Sequence, residues 1–285
     1  MLLPAVIILF VFAYLPMYGI VIAFQNYSPA LGVMHSPWVG FANFNEFLHS
    51  YQLYRTLKNT LVISFYSLFV GFPLPVILAL LTHQLRTGMF KKTFQVITYL
   101  PHFISTMIIC GMLVMFLSPN SGLVAMVAHL FKATAPNYLA MPKLFSSIVV
   151  WSDVWQNLGW DSIIYLAALA GIDPTLYEAA TIDGATKFDQ MRHIDYPLLM
   201  PTVITLLILR AGGILGVGLE KVLLLQNNLN ITASEVISTY VYKMGLLNSQ
   251  FSLSTAIGLF NAIINFALLL TVNKISKHYT DTSLF

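Results

Sequence analysis

The chain has 285 residues, of which 58% are hydrophobic and only 9% are charged, and its formal net charge is +3. This composition lies far outside the balance of soluble globular domains, and the weak, scattered positive charge excludes an extended nucleic-acid-binding surface. The sequence therefore predicts a protein embedded in the lipid bilayer.

Six apolar stretches predict the transmembrane helices. A hydrocarbon core about 30 Å thick needs about 20 apolar residues for each helical span. The stretches are continuously apolar, whereas the strands of a membrane barrel would show segments of about 10 alternating residues. We therefore expect an all-α, polytopic membrane protein in which residues 1–285 form a single transmembrane domain. The predicted spans are residues 2–24, 57–82, 96–117, 145–170, 201–219 and 253–272.

The first three spans carry mainly structural signals. Met1 is followed directly by apolar residues, without a basic segment or a small-residue cleavage site, so the first span is expected to be retained. Pro73 and Pro75 interrupt the second span, and Pro101 lies near the start of the third, so kinks are expected at these positions. Cys110, the single cysteine, can form no intrachain disulfide. The seven histidines are dispersed without ligand spacing, so no metal site is predicted.

The fourth span is the richest in polar and aromatic side chains. Polar groups inside a span are costly and usually face the interior of the helix bundle or water. Positions 153, 157, 160 and 161 share one side of the helix by their spacing, which predicts a transport pathway. The alternative is that several of these residues lie at the hydrated outer end of the span. The candidate residues are Asp153, Trp155, Gln156, Asn157, Trp160 and Asp161.

The segment 171–200 concentrates polar residues between two apolar spans. Five of the eleven acidic residues of the chain fall between Asp173 and Asp195. The carboxylate of Asp173 can cap free amides, and Pro174 loses no hydrogen bond at the first helical position. A helix is therefore predicted from Pro174 to about Asp183.

Beyond this helix, Gly184 is expected to stop or bend the chain. A second helical segment over residues 185–195 is expected to end before Pro197, because the residue preceding a proline disfavours helical geometry. A short amphipathic segment that is rich in Ala and Gly and lies between two spans is typical of a surface that docks a soluble partner.

The segment resembles the EAA loop of the membrane subunits of ATP-binding-cassette importers. That motif consists of Glu-Ala-Ala, three residues, Gly, and further on a hydrophobic residue followed by Pro. The sequence also matches the IDGA form found in sugar-type permeases and the aromatic residue that follows it. Asp195 and Tyr196 depart from the pattern, which has an uncharged residue followed by Leu. The matching positions are Glu178, Ala179, Ala180, Asp183, Gly184, Ala185, Phe188, Ile194 and Pro197.

The resemblance continues through the carboxy-terminal half of the chain. Residues 208–225, 239–246 and 251–265 are similar to the branch of sugar permeases that handles oligosaccharides and polysaccharides. This implies that the chain is the transmembrane permease subunit of an ATP-driven importer for such a sugar. The side chains of the fourth span suit this substrate, because polar groups bracket hydroxyls and aromatic faces stack on the sugar ring.

The resemblance also implies an assembly and a location. The expected partners are a second permease subunit, two cytoplasmic ATP-binding-cassette subunits, an extracellular or periplasmic solute-binding protein, the carbohydrate and the lipid bilayer, with no nucleic acid. The loop 171–200 would be cytoplasmic and would hold the coupling helix, which lies in a cleft on an ATPase subunit. The expected location is the bacterial cell membrane (inner or cytoplasmic membrane), which the chain crosses several times.

Nothing in the sequence resembles an enzyme site. The GxxxxGK[ST] phosphate loop is absent, so ATP and Mg are expected on the partner ATPase and no cofactor is expected on this chain. Two alternatives are an importer for another solute, such as a peptide or an amino acid, and a proton- or sodium-driven secondary transporter. The second would be favoured by inverted repeats and a midplane acid relay, and the sequence displays neither.

Arg210 is the only arginine inside a predicted span and therefore needs a partner. With a rise of about 1.5 Å per residue, it lies at a depth similar to that of Asp161 on the preceding span. The two residues are expected to form an ion pair or to share a polar cavity. The alternative is that Arg210 meets a carboxylate or a backbone carbonyl of the second permease.

The fifth and sixth spans carry signals for helix packing. Gly212 and Gly216 form a GxxxG pair in the fifth span, which predicts a close approach of another helix. Asn261 and Asn265 repeat at a spacing of four residues in the sixth span and are expected to face inward. They would act either in the transport pathway or as hydrogen-bonding links between helices.

Overall fold

The computed structural model describes residues 2–280, with side chains up to residue 277. This part of the chain is mainly helical, and its extended pairing is limited to an isolated bridge between Gln25 and Trp38. The predicted all-α fold is therefore confirmed.

The principal helices include those that are long and apolar enough to cross a membrane. They are α1 (Leu3–Phe24), α2 (Tyr51–His83), α3 (Met89–Phe103), α4 (Thr106–Phe116), α5 (Pro142–Ala170), α6 (Pro174–Ile182), α7 (Lys187–Ala211), α8 (Leu219–Leu225) and α9 (Phe251–Thr280). Shorter helices lie at Gly32–His35, Ala42–Leu48, Leu123–Leu130, Tyr138–Ala140, Ile231–Ser234, Ile237–Tyr242 and Lys243–Leu247.

Within the described residues, α1, α2, α7 and α9 are each long and apolar enough to span a bilayer. Two bent pairs of helices meet the requirements of length and apolar composition only when each pair is taken together. α3 and α4 are bent by 94° and α5 and α6 by 73°. The described part of the protein thus holds four candidate spans, or up to six if each bent pair forms one span.

The third predicted span, residues 96–117, is not one straight helix. The chain breaks after Phe103, because Ile104 is extended and Ser105 begins α4 by accepting the backbone N–H of Ile108. Pro101 causes this break, since it lies in a tight 3₁₀ turn and supplies no backbone donor.

The fifth predicted span, residues 201–219, begins in the wrong place. α7 starts at Lys187 and runs without interruption through Pro197, so the prediction that the helix ends before this proline is also wrong. A single turn of π-helix, Met191–Asp195, directly precedes α-helical geometry at Tyr196. The extra residue in this wide turn accommodates both the proline ring and its missing N–H.

The predicted end of the fifth span is wrong as well, because α7 ends at Ala211 and residues 212–218 are not helical. A Cβ atom added to Gly212 would lie 2.5 Å from Leu269 Cδ1 on α9. The close approach that the glycine pair predicted is therefore found at Gly212. Gly216 instead faces the carbonyl of its own turn.

α5 lies at the centre of the molecule and contacts α2, α3 and α7. Val150 and Val154 of α5 pack against Ile63 of α2 in one buried cluster. The tightest crossing is at Gly159, where an added Cβ would lie 2.1 Å from the carbonyl oxygen of Thr98 on α3. Glycine is therefore required for these two backbones to meet.

α1 is the least supported of the long helices. Its first half, Leu3–Leu9 and Phe10–Tyr14, holds no buried residue. Contact with α9 is made by the second half, Leu15–Phe24. The apolar side chains of the first half are thus exposed in the isolated chain.

Candidate functional site

An ion pair between α5 and α8 begins the polar region of the helix bundle. Lys221 Nζ lies 3.1 Å from Asp153 Oδ1 and 3.0 Å from Gln156 Oε1. The lysine side chain is 7% exposed and the aspartate side chain 41% exposed. A buried ammonium group needs such acceptors, because an unpaired charge away from water is costly. The aspartate is therefore the member of the pair that a solute can reach.

A chain of polar contacts leads from this pair to an aromatic face. Asn157 Nδ2 donates to Asp153 Oδ1 at 3.1 Å, and Asn157 Oδ1 lies 2.9 Å from His102 Nδ1. The His102 ring is stacked on Trp160, with ring centroids 4.4 Å apart and planes 3° apart. The break between α3 and α4 explains this contact, because it brings His102 against α5.

Adjoining cavities follow α5 past these side chains. A cavity of about 490 Å³ at the break between α3 and α4 is lined by His102, Asp153 and Lys221. A second, of about 370 Å³, shares Asp153 and Lys221 with the first and also touches Arg210. A third, of about 450 Å³, shares Arg210 with the second and is lined by Trp160. The charged and histidine side chains that line these cavities are His102, Asp153, Asp161, Arg210, Glu220 and Lys221.

The predicted direct ion pair between Asp161 and Arg210 is not found. The ion pairs among the described side chains do not include these two, although both line the 450 Å³ cavity. Arg210 Nη2 lies instead 3.5 Å from Ser67 Oγ on α2. The two residues instead share a polar cavity, which was the second expectation. They form no direct ion pair because the Arg210 side chain extends towards α2.

This lining can bind a solute that carries many hydroxyl groups. The carboxylate and amide oxygens of Asp153 and Asn157 accept hydrogen bonds, and Arg210 donates them. Trp160 adds a flat apolar face beside these polar groups. The arrangement therefore combines the directional and the stacking contacts that a sugar ring can use.

Three residues that were expected beside the pathway lie elsewhere. Trp155 lines a separate, mainly apolar cavity of about 360 Å³ together with Ile109, because it lies on the other side of α5. Asn265 Oδ1 accepts the backbone N–H of Leu215 at 3.1 Å and so holds the connection 212–218 against α9. Asn261 is half-buried on the same helix and does not line the cavities described above. Trp155 and Asn261 therefore do not line these cavities, and Asn265 forms a hydrogen-bonding link, which is the second of its two expected roles.

Gln156 lies at the edge of the cluster and has a structural contact as well. Its Nε2 donates to the carbonyl of Ile104 at 3.0 Å, in the break between α3 and α4. The side chain is buried and also accepts from Lys221. Gln156 therefore ties the broken helix pair to the charged pair.

The loop after α5 begins with the predicted helix. α6 spans Pro174–Ile182, and Asp173 caps it by accepting the backbone N–H of Thr175 at 2.9 Å. This hydrogen bond lowers the pKa of the Asp173 carboxyl, which stays exposed. Gly184 has a φ of +79°, a left-handed conformation that favours glycine, so the predicted bend is also found.

The residues that match the loop motif form an open surface. α6 contains no buried residue. Two apolar side chains near the bend are strongly exposed, Ile182 at 86% and Phe188 at 63%. The half-buried motif residues are Ala180, Ala185 and Ile194, and the exposed ones are Glu178, Ala179, Asp183, Gly184, Phe188 and Pro197.

The sequence reading missed three residues at these sites. Lys221 lies outside the predicted spans, although its place inside an apolar run is a signal of burial. His102 was passed over as one of the dispersed histidines. Asp195 was noted only as a departure from the loop motif, whereas the structure buries it completely.

The chain matches known proteins over most of its length. Residues 71–280 match a family described as "Binding-protein-dependent transport system inner membrane component". The chain is 39% identical to the polygalacturonan/rhamnogalacturonan transport system permease protein YteP of Bacillus subtilis (strain 168), over 100% of this chain and 89% of the relative.

Solved structures resemble the chain over almost its whole length. One is a bacterial ABC transporter involved in the import of the acidic polysaccharide alginate, with a TM-score of 0.91 and 39% identity over 98% of this chain and 94% of that chain. Another is a bacterial alginate ABC transporter in complex with an alginate pentasaccharide-bound periplasmic protein. It has the same TM-score and identity and covers 100% of this chain and 95% of that chain.

Proposed function

The chain belongs to the family of binding-protein-dependent transport system inner membrane components, and from this membership we propose that it is the permease subunit of an ATP-driven importer for an oligosaccharide or polysaccharide. The observation that carries the choice of substrate is the row of polar and aromatic side chains along α5. Asp153, Asn157 and Trp160 offer the contacts that a sugar needs, at adjoining cavities along the central helix.

The proposal includes six membrane spans, of which the bent pairs α3–α4 and α5–α6 each contribute one. Under this topology α6 lies at the cytoplasmic face and is the coupling helix. Its lack of buried residues and the exposed apolar side chains of Ile182 and Phe188 support a docking role. Exposed apolar groups at a water-facing site favour a protein partner.

The chain is proposed to work in a complex in the bacterial cell membrane. A second permease would complete the sugar path, and two cytoplasmic ATPase subunits would bind and hydrolyse ATP with Mg, so this chain is not catalytic. An external solute-binding protein would deliver the sugar, in line with the solved relative that carries a periplasmic protein. Family membership removes the ion-driven secondary transporter from consideration.

The test is uptake by the complete transporter in sealed vesicles that contain ATP. The solutes would be oligogalacturonides, alginate oligosaccharides and arabino-oligosaccharides, with a mixture of short peptides as the comparison. We expect ATP-dependent uptake of at least one sugar class and none of the peptides. Peptide uptake in the absence of sugar uptake would instead establish the importer of another solute.

A further inference from the structure

α6 is held to the rest of the protein mainly by polar contacts. Because it buries no residue, apolar packing contributes little to its orientation. Thr181 Oγ1 accepts from Gln190 Nε2 at 3.1 Å, and the hydroxyl of Tyr177 donates to Asp195 Oδ1. The partner side chains in these two bonds, Gln190 and Asp195, both belong to α7. Apart from its short chain connections to α5 and α7, the position of α6 therefore depends on a few hydrogen bonds.

Asp195 is the centre of a group of four side chains, which we term the Asp195 cluster: His83, Gln84, Tyr177 and Asp195. Gln84 Nε2 donates to Asp195 Oδ2 at 2.5 Å. His83 Nε2 lies 3.9 Å from Asp195 Oδ1 and 3.3 Å from the Tyr177 hydroxyl. His83 ends α2 and Gln84 follows it, so one carboxylate joins α2, α6 and α7.

The burial of Asp195 needs an explanation, because its side chain is 0% exposed. A buried carboxylate is costly unless it is paired or hydrogen-bonded. Among the described residues, no lysine or arginine lies within ion-pair distance of it. The hydrogen bonds from Tyr177 and Gln84 therefore provide most of its compensation.

An apolar residue would avoid this cost. The loop motif has an uncharged residue at position 195, and an apolar side chain can fill a buried site at least as favourably as a charged one. What an apolar residue cannot do is accept hydrogen bonds from two other helices at once. The presence of a carboxylate at this buried position is therefore explained by its hydrogen bonds, which hold α2, α6 and α7 together.

A cavity next to the cluster shows where α6 lacks other support. It has a volume of about 540 Å³ and is lined by Pro174, Tyr177 and Thr181 on the α6 side and by Gln84 and Gln190 on the other. Space thus separates much of α6 from the inner ends of α2 and α7. A force on α6 reaches these helices where the hydrogen bonds bridge that space.

We propose that Asp195 is a positioning residue that fixes the coupling helix α6 to the inner ends of α2 and α7, so that both helices follow its displacement. This inference rests on the proposed coupling role of α6. Tyr177 and Gln84 act with Asp195, and the variants below separate their hydrogen bonds from simple packing.

The experiment measures a distance in the complete transporter in vesicles. Spin labels are placed at Leu176→Cys on α6 and Phe69→Cys on α2, in a Cys110→Ser background, because both sites are exposed. The distance distribution is recorded without nucleotide and after trapping with ATP and vanadate. If the Asp195 cluster makes α2 and α6 move as one rigid body, the distance between the two labels is the same without nucleotide and after trapping. It should change on trapping in Tyr177→Phe and in Asp195→Leu.

Two controls isolate the hydrogen bonds. Tyr196→Phe removes a hydroxyl next to Asp195 that bonds to none of the described residues, so it should behave as the parent does. Asp195→Asn keeps an acceptor for Tyr177, and its Nδ2–H can donate to Gln84 Oε1 once the Gln84 amide turns over, so it should preserve the fixed distance, which Asp195→Leu should not. If Asp195→Leu does not assemble, Tyr177→Phe alone decides, because it preserves the ring.

The outcomes separate this inference from the proposed function. A parent distance that changes on trapping, or a Tyr177→Phe distance that stays constant, overturns the role of Asp195 and leaves the importer intact. Failure of the ATPase subunits to purify with the parent chain overturns the importer assembly, and the positioning role with it.

Discussion

Two tryptophans on α5 lie in different surroundings. Trp160 is stacked on His102 and lines the polar cavities, whereas Trp155 lies at an apolar cavity on the other side. We expect Trp160→Ala to reduce sugar uptake by up to about tenfold, since an aromatic contact contributes about 0.5–1.5 kcal/mol beyond area burial. Trp155→Ala is the matched control and should spare uptake. Equal losses in the two variants, at equal levels of assembled complex, would contradict the assignment of the path.

Arg210 and Asp161 provide a test of the same path by charge. Because they share a cavity without a direct ion pair, their energetic coupling should be smaller than that of a buried ion pair. We expect the effects of Arg210→Leu and Asp161→Leu on thermal unfolding of the purified chain to add to within about 1 kcal/mol, whereas breaking a buried ion pair costs about 3–5 kcal/mol. Marked recovery of stability in the double variant would instead show a close pair in the assembled protein.

At the scale of the helix, the crossing of α3 and α5 is the most sensitive point. In Gly159→Ala the new methyl group would overlap the carbonyl of Thr98, which is backbone and cannot turn away. We expect a loss of about 1–3 kcal/mol of stability from overpacking, measured by thermal unfolding in detergent. Gly258→Ala on α9 is the control, because a Cβ there meets nothing within 4 Å. Similar unfolding of the two variants would show that the crossing can relax.

The sequence predicted elements well where one local rule acts alone. The cap at Asp173 and the bend at Gly184 were both expected from residue type, and both are found. The prediction failed at Pro197, where a π turn allows the helix to continue, and in the third span, which breaks after Phe103. Hydropathy shows whether a segment is apolar, but it does not predict a π turn or a break inside that segment.

Only the part of the candidate site that lies on one helix could be predicted from the sequence. Helical spacing placed Asp153, Asn157 and Trp160 on one side of α5, and the structure brings them together. Lys221 and His102 come from distant parts of the chain. Their contacts depend on how the broken helix pair and the 212–218 connection fold back, which no periodicity within one segment can specify.

At the scale of the whole transporter, the loop surface should control association with the ATPase. Gly184→Trp adds bulk at the bend and Glu178→Lys reverses an exposed charge, and neither touches the buried core. We expect both variants to insert into the membrane but to lose sugar-stimulated ATP hydrolysis. The measurements are ATP hydrolysis by the reconstituted complex and co-purification of the ATPase. Parent values of both quantities in both variants would remove the coupling role from this loop.

The first half of α1 makes the protein dependent on its surroundings in a particular way. Since Leu3–Tyr14 buries no residue, the thickness of the bilayer acts on this segment without resistance from internal packing. A thinner bilayer is accommodated by tilting of a helix, at a cost of a fraction of a kcal/mol per Å of mismatch. α5 cannot tilt without losing its tight crossing at Gly159. Lipid chain length should therefore reorient α1 first and leave the central helices in place.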